Sequence, residues 1–216
     1  MDFETARLQM VDQQVRTWDV LDPQVLDVMG RIPRERFVPA AYRDLAFADA
    51  PIPLRDGQQM LPPKLDARIL QACEIQHGES VIDIGTGSGF LAACLSALGA
   101  NVQSIEIRSE LVAAAKDNLQ ATGYAGIALQ CADATTWAPL APVDVVILTA
   151  SLPVYDARYE HWLKLGGRLF VVTGVRAPMS AQLITRTGAN AYARRELFET
   201  SILPLAHAPQ SSGFVF

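Results

Sequence analysis

The chain has 216 residues, half of them hydrophobic, and a formal net charge of -5 at pH 7. That length suits one domain, or one domain with an appendage, around a large core. An acidic chain with no run of Lys or Arg argues against avid nucleic-acid binding and against docking on anionic membranes, and no apolar stretch approaches the ~18 residues of a membrane span.

Taken in order, the N-terminus (Met1-Asp2-Phe3-Glu4-Thr5) is polar and carries no signal-peptide core. Cys73, Cys94 and Cys131 are scattered, without metal spacing, and read as small core residues of a cytoplasmic protein. His77, His161 and His207 are equally scattered, and structural or surface roles are expected; no metal site is. Residues 1–70 are expected to form a helical and substrate-loop extension. Leu8, Val11 and Val15 fall on one side of a helix. Asp22-Pro23 is an N-cap followed by proline at the first helical position, and Gly30 is expected to end that helix. Pro33, Pro39, Pro51, Pro53, Pro62 and Pro63 make the rest loop-like, in the manner of a lid or binding loop.

Residues 71–216 read as the cofactor-binding core of what is one compact domain overall. Up to about residue 175 strand and helix alternate. Strands are predicted at Val81–Ile84, Val102–Ile107, Ile127–Cys131, Val143–Leu148 and Leu169–Val172. Helices are predicted over Phe90–Leu98, from Ser109 as cap through Leu119 to Gly123, and over Tyr155–Leu165 to Gly166-Gly167. This is the rhythm of a doubly wound, mostly parallel α/β sheet. From about 176 the period changes: Leu183–Thr185 and Ala191–Phe198 flank a turn at Thr187–Asn190, and Phe214-Val215-Phe216 supplies a further candidate strand. Antiparallel strands at one edge are expected.

The chemistry starts where the first of these strands runs into Gly85-Thr86-Gly87-Ser88-Gly89. Glycines at a strand-to-helix turn let a ligand approach bare backbone, and the N–H groups opening the helix point at it. Dinucleotide sites read G-x-G-x-x-G; here the third glycine comes one residue early and Asp83 precedes the first. Glu106 and Ile107 end the second strand, with Glu106 placed for ribose hydroxyls, and Asp133-Ala134 follow the third, where a carboxylate meets the amino edge of adenine. Thr149 lies beyond the fourth strand. Asp144 before that strand is the weakest member, since Asp there often only begins a strand. The ordered set predicts an S-adenosylmethionine site.

With these motifs in hand, the chain resembles the protein-L-isoaspartate O-methyltransferase family over nearly its whole length. Met10-Val11-Asp12-Gln13-Gln14-Val15-Arg16 is similar to that family's entry helix, Ile32-Pro33-Arg34-Glu35-Arg36-Phe37-Val38-Pro39 to its Pro-Arg-Glu-x-Phe-Val-Pro signature, and Tyr42-Arg43-Asp44 and Asp144–Pro153 to further segments. The resemblance implies a Rossmann-like methyltransferase fold, S-adenosyl-L-methionine as donor, and methylation of an isoaspartyl carboxylate in damaged protein as a step of protein repair. One departure stands out. The family carries Gly-Gln-Thr-x-Ser, with the serine assigned the catalytic role; this chain reads Gly57-Gln58-Gln59-Met60-Leu61-Pro62-Pro63, with Leu61 at the serine position.

A carboxylate has a pKa near ~4 and is already ionised at neutral pH, so the protein mainly has to align the reacting atoms and exclude water. A lost serine hydrogen bond to a charged group is worth on the order of 1.5–3 kcal/mol, a slowing rather than an abolition. Gln59 is the first candidate to replace it, with Gln58, Thr149 and Ser151 expected in loops at the same sheet edge. The substrate segment is Gln58, Gln59, Met60, Leu61 and Pro62. The alternative reading is a non-catalytic or divergent S-adenosylmethionine-binding protein with another acceptor. An RNA methyltransferase lacks the expected basic surface, and a nicotinamide dehydrogenase fails on glycine spacing. Partners are therefore expected to be a peptide or protein carboxylate substrate, with no nucleic acid and no membrane.

Overall fold

The structure, a computed structural model, describes residues 2–210. Its centre is a seven-stranded sheet ordered β5-β4-β3-β6-β7-β8-β9. The strands are β3 (Ser80–Ile84), β4 (Asn101–Glu106), β5 (Ala128–Cys131), β6 (Val143–Leu152), β7 (Leu163–Thr173), β8 (Met179–Arg186) and β9 (Tyr192–Thr200). β3 to β7 pair in parallel, and β8 and β9 add the antiparallel edge. The central strands are continuous apolar runs because both faces are covered. Alternate residues feed two cores: Val81, Val145, Ile147, Phe170 and Val172 pack toward the N-terminal segment, while Ile82, Val146, Leu148, Leu169 and Val171 pack around Tyr159 and Trp162. The chain leaves β3 for β4 and β5 on one side and returns as β6 on the other. The crevice outside the carboxyl ends of β3 and β6 is thus the topological switch point where ligands bind in such sheets.

Helix α1 (Phe3–Met10) is capped by Asp2 and runs into a π-helical turn over Val11–Val15. The wider turn breaks the 3.6-residue period, so Met10, Val11 and Val15 are buried while Leu8, expected on that stripe, is half exposed. Asp22 caps α2 (Pro23–Arg31) by accepting from the N–H groups of Gln24 and Val25. Gly30 does not end this helix. It lies inside it, where a Cβ would meet Leu8 of α1 at 3.7 Å, and the helix stops at Ile32, which the following Pro33 pushes into extended backbone. The proline-rich stretch that follows holds short 3-10 turns and a two-stranded ribbon of β1 (Ile52–Pro53) and β2 (Gln59–Met60), before α3 (Pro63–Cys73).

Helices α4 (Phe90–Ala97) and α5 (Ser109–Ala121) occupy the predicted places, although Arg108, not Ser109, is the capping residue of α5. The helix expected over Tyr155–Leu165 does not form. Only a short 3-10 turn is found at Ala157–Trp162, and Leu163 already starts β7 by pairing with Val143. Tyr159 and Trp162 stack edge-on, 4.9 Å apart, which holds the turn against the sheet. Gly166 at φ +80 and the side-chain-free Gly167, packed on the carbonyls of Lys164 and Asp144, then absorb a register shift rather than terminate a helix. β6 also extends to Leu152, so Thr149 and Ser151 sit on a strand and not in a loop. After β9 the chain folds back: Ser151 N–H donates to the Leu203 carbonyl and Leu205 N–H donates to the Ser151 carbonyl, 2.8 Å each. The Phe214–Phe216 strand lies outside the described residues.

Candidate active site

Gly85, Gly87 and Gly89 hold φ of +98, +53 and +87, a region L-residues rarely adopt. Two of them also need to be bare. A Cβ on Gly85 would overlap the Thr149 hydroxyl, and one on Gly89 would press on Leu119 at 3.2 Å and Ala115 at 3.4 Å. The early third glycine therefore lets α5 close on the turn. Thr149 Oγ1 lies 2.9 Å from the carbonyls of both Ile84 and Gly85, so its hydroxyl pins the glycine turn to β6. Thr86 and Ser88 are buried; Ser88 Oγ accepts from Phe90 N–H at the head of α4.

Two carboxylates sit beneath this cradle. Glu106, at the end of β4 and 6% exposed, accepts from Gly87 N–H and Arg108 N–H at 3.1 Å each. Asp83, on β3, accepts from Ser104 Oγ at 2.7 Å, and Ser104 Oγ is 2.6 Å from Thr86 Oγ1. Among the described residues the other Asp83 oxygen is buried without a partner. Burial pushes the Asp83 carboxyl up to about 7, with the Ser104 hydrogen bond opposing and the nearby Glu106 charge adding.

Asp133 follows β5. One oxygen accepts from Thr135 N–H and Oγ1, and the other lies 2.7 Å from His207 Nδ1. Burial favours its neutral form, but the hydrogen bonds from His207 and Thr135 outweigh that and hold its pKa below the ordinary carboxylate value. Gly85, Glu106, Ile107, Asp133, Ala134 and Gln58 line one cleft, of about 50 Å³, together with Pro204, Leu205 and Ala206. Sequence reasoning missed this returning segment and its His207, because neither periodicity nor a motif marks a strap that gains its position from two hydrogen bonds to Ser151. Asp144 is elsewhere: it binds Ser80 and Lys164 at the opposite, amino end of β6.

The substrate segment splits between two hollows. Gln58 faces the glycine cleft. Gln59 and Pro62 line a separate cleft of about 250 Å³. Met60 and Leu61 are buried. The Leu61 carbonyl accepts from Arg34 Nη2, while Arg34 Nε donates to Ala46 O at 2.9 Å and Nη1 to Asp66 Oδ2 at 2.7 Å. The guanidinium also lies 4.6 Å over the ring of Phe90. Arg34 thus ties the signature segment, α3 and the head of α4 to the substrate loop. Burial pushes the Asp66 carboxyl up to about 6 although Arg34 opposes it. Asp66 carried no signal in the sequence.

The same residues can be set beside known proteins. The sequence profile of the protein-L-isoaspartate(D-aspartate) O-methyltransferase family matches residues 6–210. A protein-L-isoaspartate O-methyltransferase of Koribacter versatilis is 36% identical over 204 residues, 94% of this chain and 91% of that protein. Protein-L-isoaspartate O-methyltransferase 2 of Marinobacter nauticus is 36% identical over 206 residues, 94% of each chain. The fold is similar to that of a Plasmodium falciparum protein solved in complex with S-adenosyl-L-homocysteine, with a TM-score of 0.82 at 16% identity, covering 92% of this chain and 97% of that one. Glycine turn, strand-end carboxylates and sheet order accompany a match across almost the entire sequence, and the chain belongs to the protein-L-isoaspartate(D-aspartate) O-methyltransferase family.

Proposed function

We propose that this chain is an S-adenosylmethionine-dependent O-methyltransferase that esterifies isoaspartyl carboxylates of damaged protein. The observation that carries this reading is the meeting of the glycine cradle with acidic groups at two successive strand ends, in a chain of this family. Those residues fit the donor. Among the described residues Glu106 accepts only backbone N–H groups, and it has lone pairs left for ribose hydroxyls. Asp133 and Ala134 border the same cleft, where the adenine edge would lie. The unpartnered Asp83 oxygen is a buried acceptor beside the turn. When bound, the donor supplies a methyl group on a sulfonium, a leaving group that needs no protonation.

The protein's remaining work is positional. The acceptor carboxylate is ionised at neutral pH and needs no general base. It has to be held at near-attack distance, ~3–3.5 Å, with water excluded. Gln58, which faces the glycine cleft, is better placed than Gln59 to donate a hydrogen bond to it, and among the described residues its amide is engaged only at 3.4 Å, by the Asp56 carbonyl. Leu61, at the position where the family has a serine, carries no hydroxyl to orient the acceptor. Among the described residues no helix is long and apolar enough to cross a membrane, and cytoplasmic protein is the acceptor pool in this reading.

The test is methyl transfer from tritiated donor to an isoaspartyl peptide, its aspartyl twin and total cell extract. Base-labile label on the isoaspartyl peptide alone supports the reading. Donor binding by calorimetry with label only on another component, or on none, replaces it with a divergent acceptor or a binding module.

A further inference from the structure

The second cleft, lined by Gln59 and Pro62, has a recognition chemistry of its own. Its walls are the aromatic rings of Trp18 and Phe198, and its cations are Lys64 and Arg68, one turn apart on α3. Each cation sits on a ring. Lys64 Nζ is 3.8 Å from the Trp18 centroid and the Arg68 guanidinium carbon 4.5 Å from that of Phe198. The two differ in what is left over. Lys64 is already paired with Asp49 at 2.7 Å. Arg68 spends only Nη1, on the Trp18 carbonyl at 2.8 Å, and its nearest carboxylate, Asp19, is 3.9 Å away on a side chain 93% exposed. Among the described residues the Nε and Nη2 groups of Arg68 make no hydrogen bond, although the side chain is only 18% exposed. Glu199 also lines the cleft but makes no ion pair with Arg68 among the described residues.

A half-buried guanidinium held flat on a phenylalanine, with one edge unused, is a fork already set for a carboxylate. Its position defines which carboxylate. The 58–62 segment contributes to both clefts, Gln58 to the glycine cleft and Gln59 and Pro62 to this one. A peptide whose reacting residue enters beside Gln58 can lay a neighbouring residue across the segment into the second cleft. We propose that the Trp18–Phe198 cleft binds an acidic side chain flanking the methylated residue, and that Arg68 is the group that selects it. This rests on the reading of the chain as a methyltransferase of protein carboxylates.

The test uses isoaspartyl peptides with Glu, Ala or Lys placed in turn at the three positions before and after the isoaspartyl residue. Binding is read from Trp18 fluorescence in the full chain, with Trp18→Phe as the control that assigns the signal, and transfer is read as kcat and KM. At one or more positions wild type is expected to favour Glu over Lys by roughly 5-fold, the upper range for a partly exposed pair, in KM and not in kcat. Arg68→Gln is expected to bring that ratio to about one, and Arg68→Lys to restore part of it. The comparison within wild type needs no variant to fold. Equal binding of Glu and Lys peptides at every position overturns the proposal, as does a Glu preference that survives Arg68→Gln. If no peptide is methylated yet Glu peptides bind in an Arg68-dependent way, the cleft assignment holds and the methyltransferase reading fails. Methylation with no charge preference does the reverse: the methyltransferase reading holds and the cleft assignment fails.

Discussion

Removing Asp66 tests whether the substrate loop is held from beneath by Arg34. The two side chains are 0% and 4% exposed, so solvent does not screen them, and deleting one partner leaves a buried charge uncompensated at a cost of ~3–5 kcal/mol. Asp66→Ala should destabilise the fold by about that amount, a large part of the ~5–15 kcal/mol that holds a typical domain together. Arg34→Ala should cost more, because it also strands the Ala46 and Leu61 carbonyls at ~1–3 kcal/mol each. The double variant should cost less than the sum of the singles by ~2 kcal/mol or more, since each single change strands the remaining partner's charge and the double strands neither. The sign with pH is also set. The folded pKa of Asp66, about 6, is raised by burial above its ~4 in the unfolded chain, so its contribution to stability is full below ~4 and is lost as pH rises through about 6. Urea denaturation of wild type, both singles and the double at pH 5 and 7.5 reads all of this, and Asp66→Asn should shrink the pH term. A cost for Asp66→Ala under ~1 kcal/mol, or strict additivity, would refute the clamp.

At the cofactor cleft, Glu106→Ala should weaken S-adenosyl-L-homocysteine binding by ~10- to 150-fold, the worth of hydrogen bonds to a charged group, and a calorimetric change below ~3-fold would remove Glu106 from the ribose position. For Asp83 the folded pKa is again raised by burial, to about 7, so donor-free wild type should lose stability as pH rises from ~4 through about 7. Melts of Asp83→Asn should fall less steeply across that window, with the Asp66 contribution left, and a parallel slope in both proteins would contradict the assignment. Leu61→Ser should cost ~2–5 kcal/mol of stability as a buried leucine truncation while raising kcat on an isoaspartyl peptide by ~10-fold or more. An unchanged kcat would mean that position 61 does not reach the acceptor.

The sheet was legible because its signals are local. Apolar runs such as Val143–Leu148 and the glycine turn after Ile84 announce buried strands and a strand-to-helix corner without reference to anything distant. The misread segment, Tyr155–Leu165, lacks that independence: its conformation is decided by Tyr159 and Trp162 packing on the other core and by Leu163 pairing with Val143. Gly30 and Gly166-Gly167 show the same limit, since a glycine in sequence does not say whether it ends a helix, lets two helices touch or absorbs a bulge. At the site, residues tied to a strand end could be foreseen. Those that matter through long-range contact could not: His207 reaches Asp133 across 74 residues, and Arg34 reaches Asp66 across 32. The separation of Gln58 from Gln59 follows from the alternation of an extended segment, but only the folded loop shows that each side opens into a different hollow.

The decisive measurement is kcat/KM for base-labile methyl incorporation into an isoaspartyl peptide and into its aspartyl twin, with S-adenosyl-L-homocysteine as competitor. A methyltransferase of isoaspartyl carboxylates should give competitor-sensitive incorporation into the isoaspartyl peptide only, at a rate limited by the absent serine. Tight donor binding with no incorporation into either peptide would contradict that function.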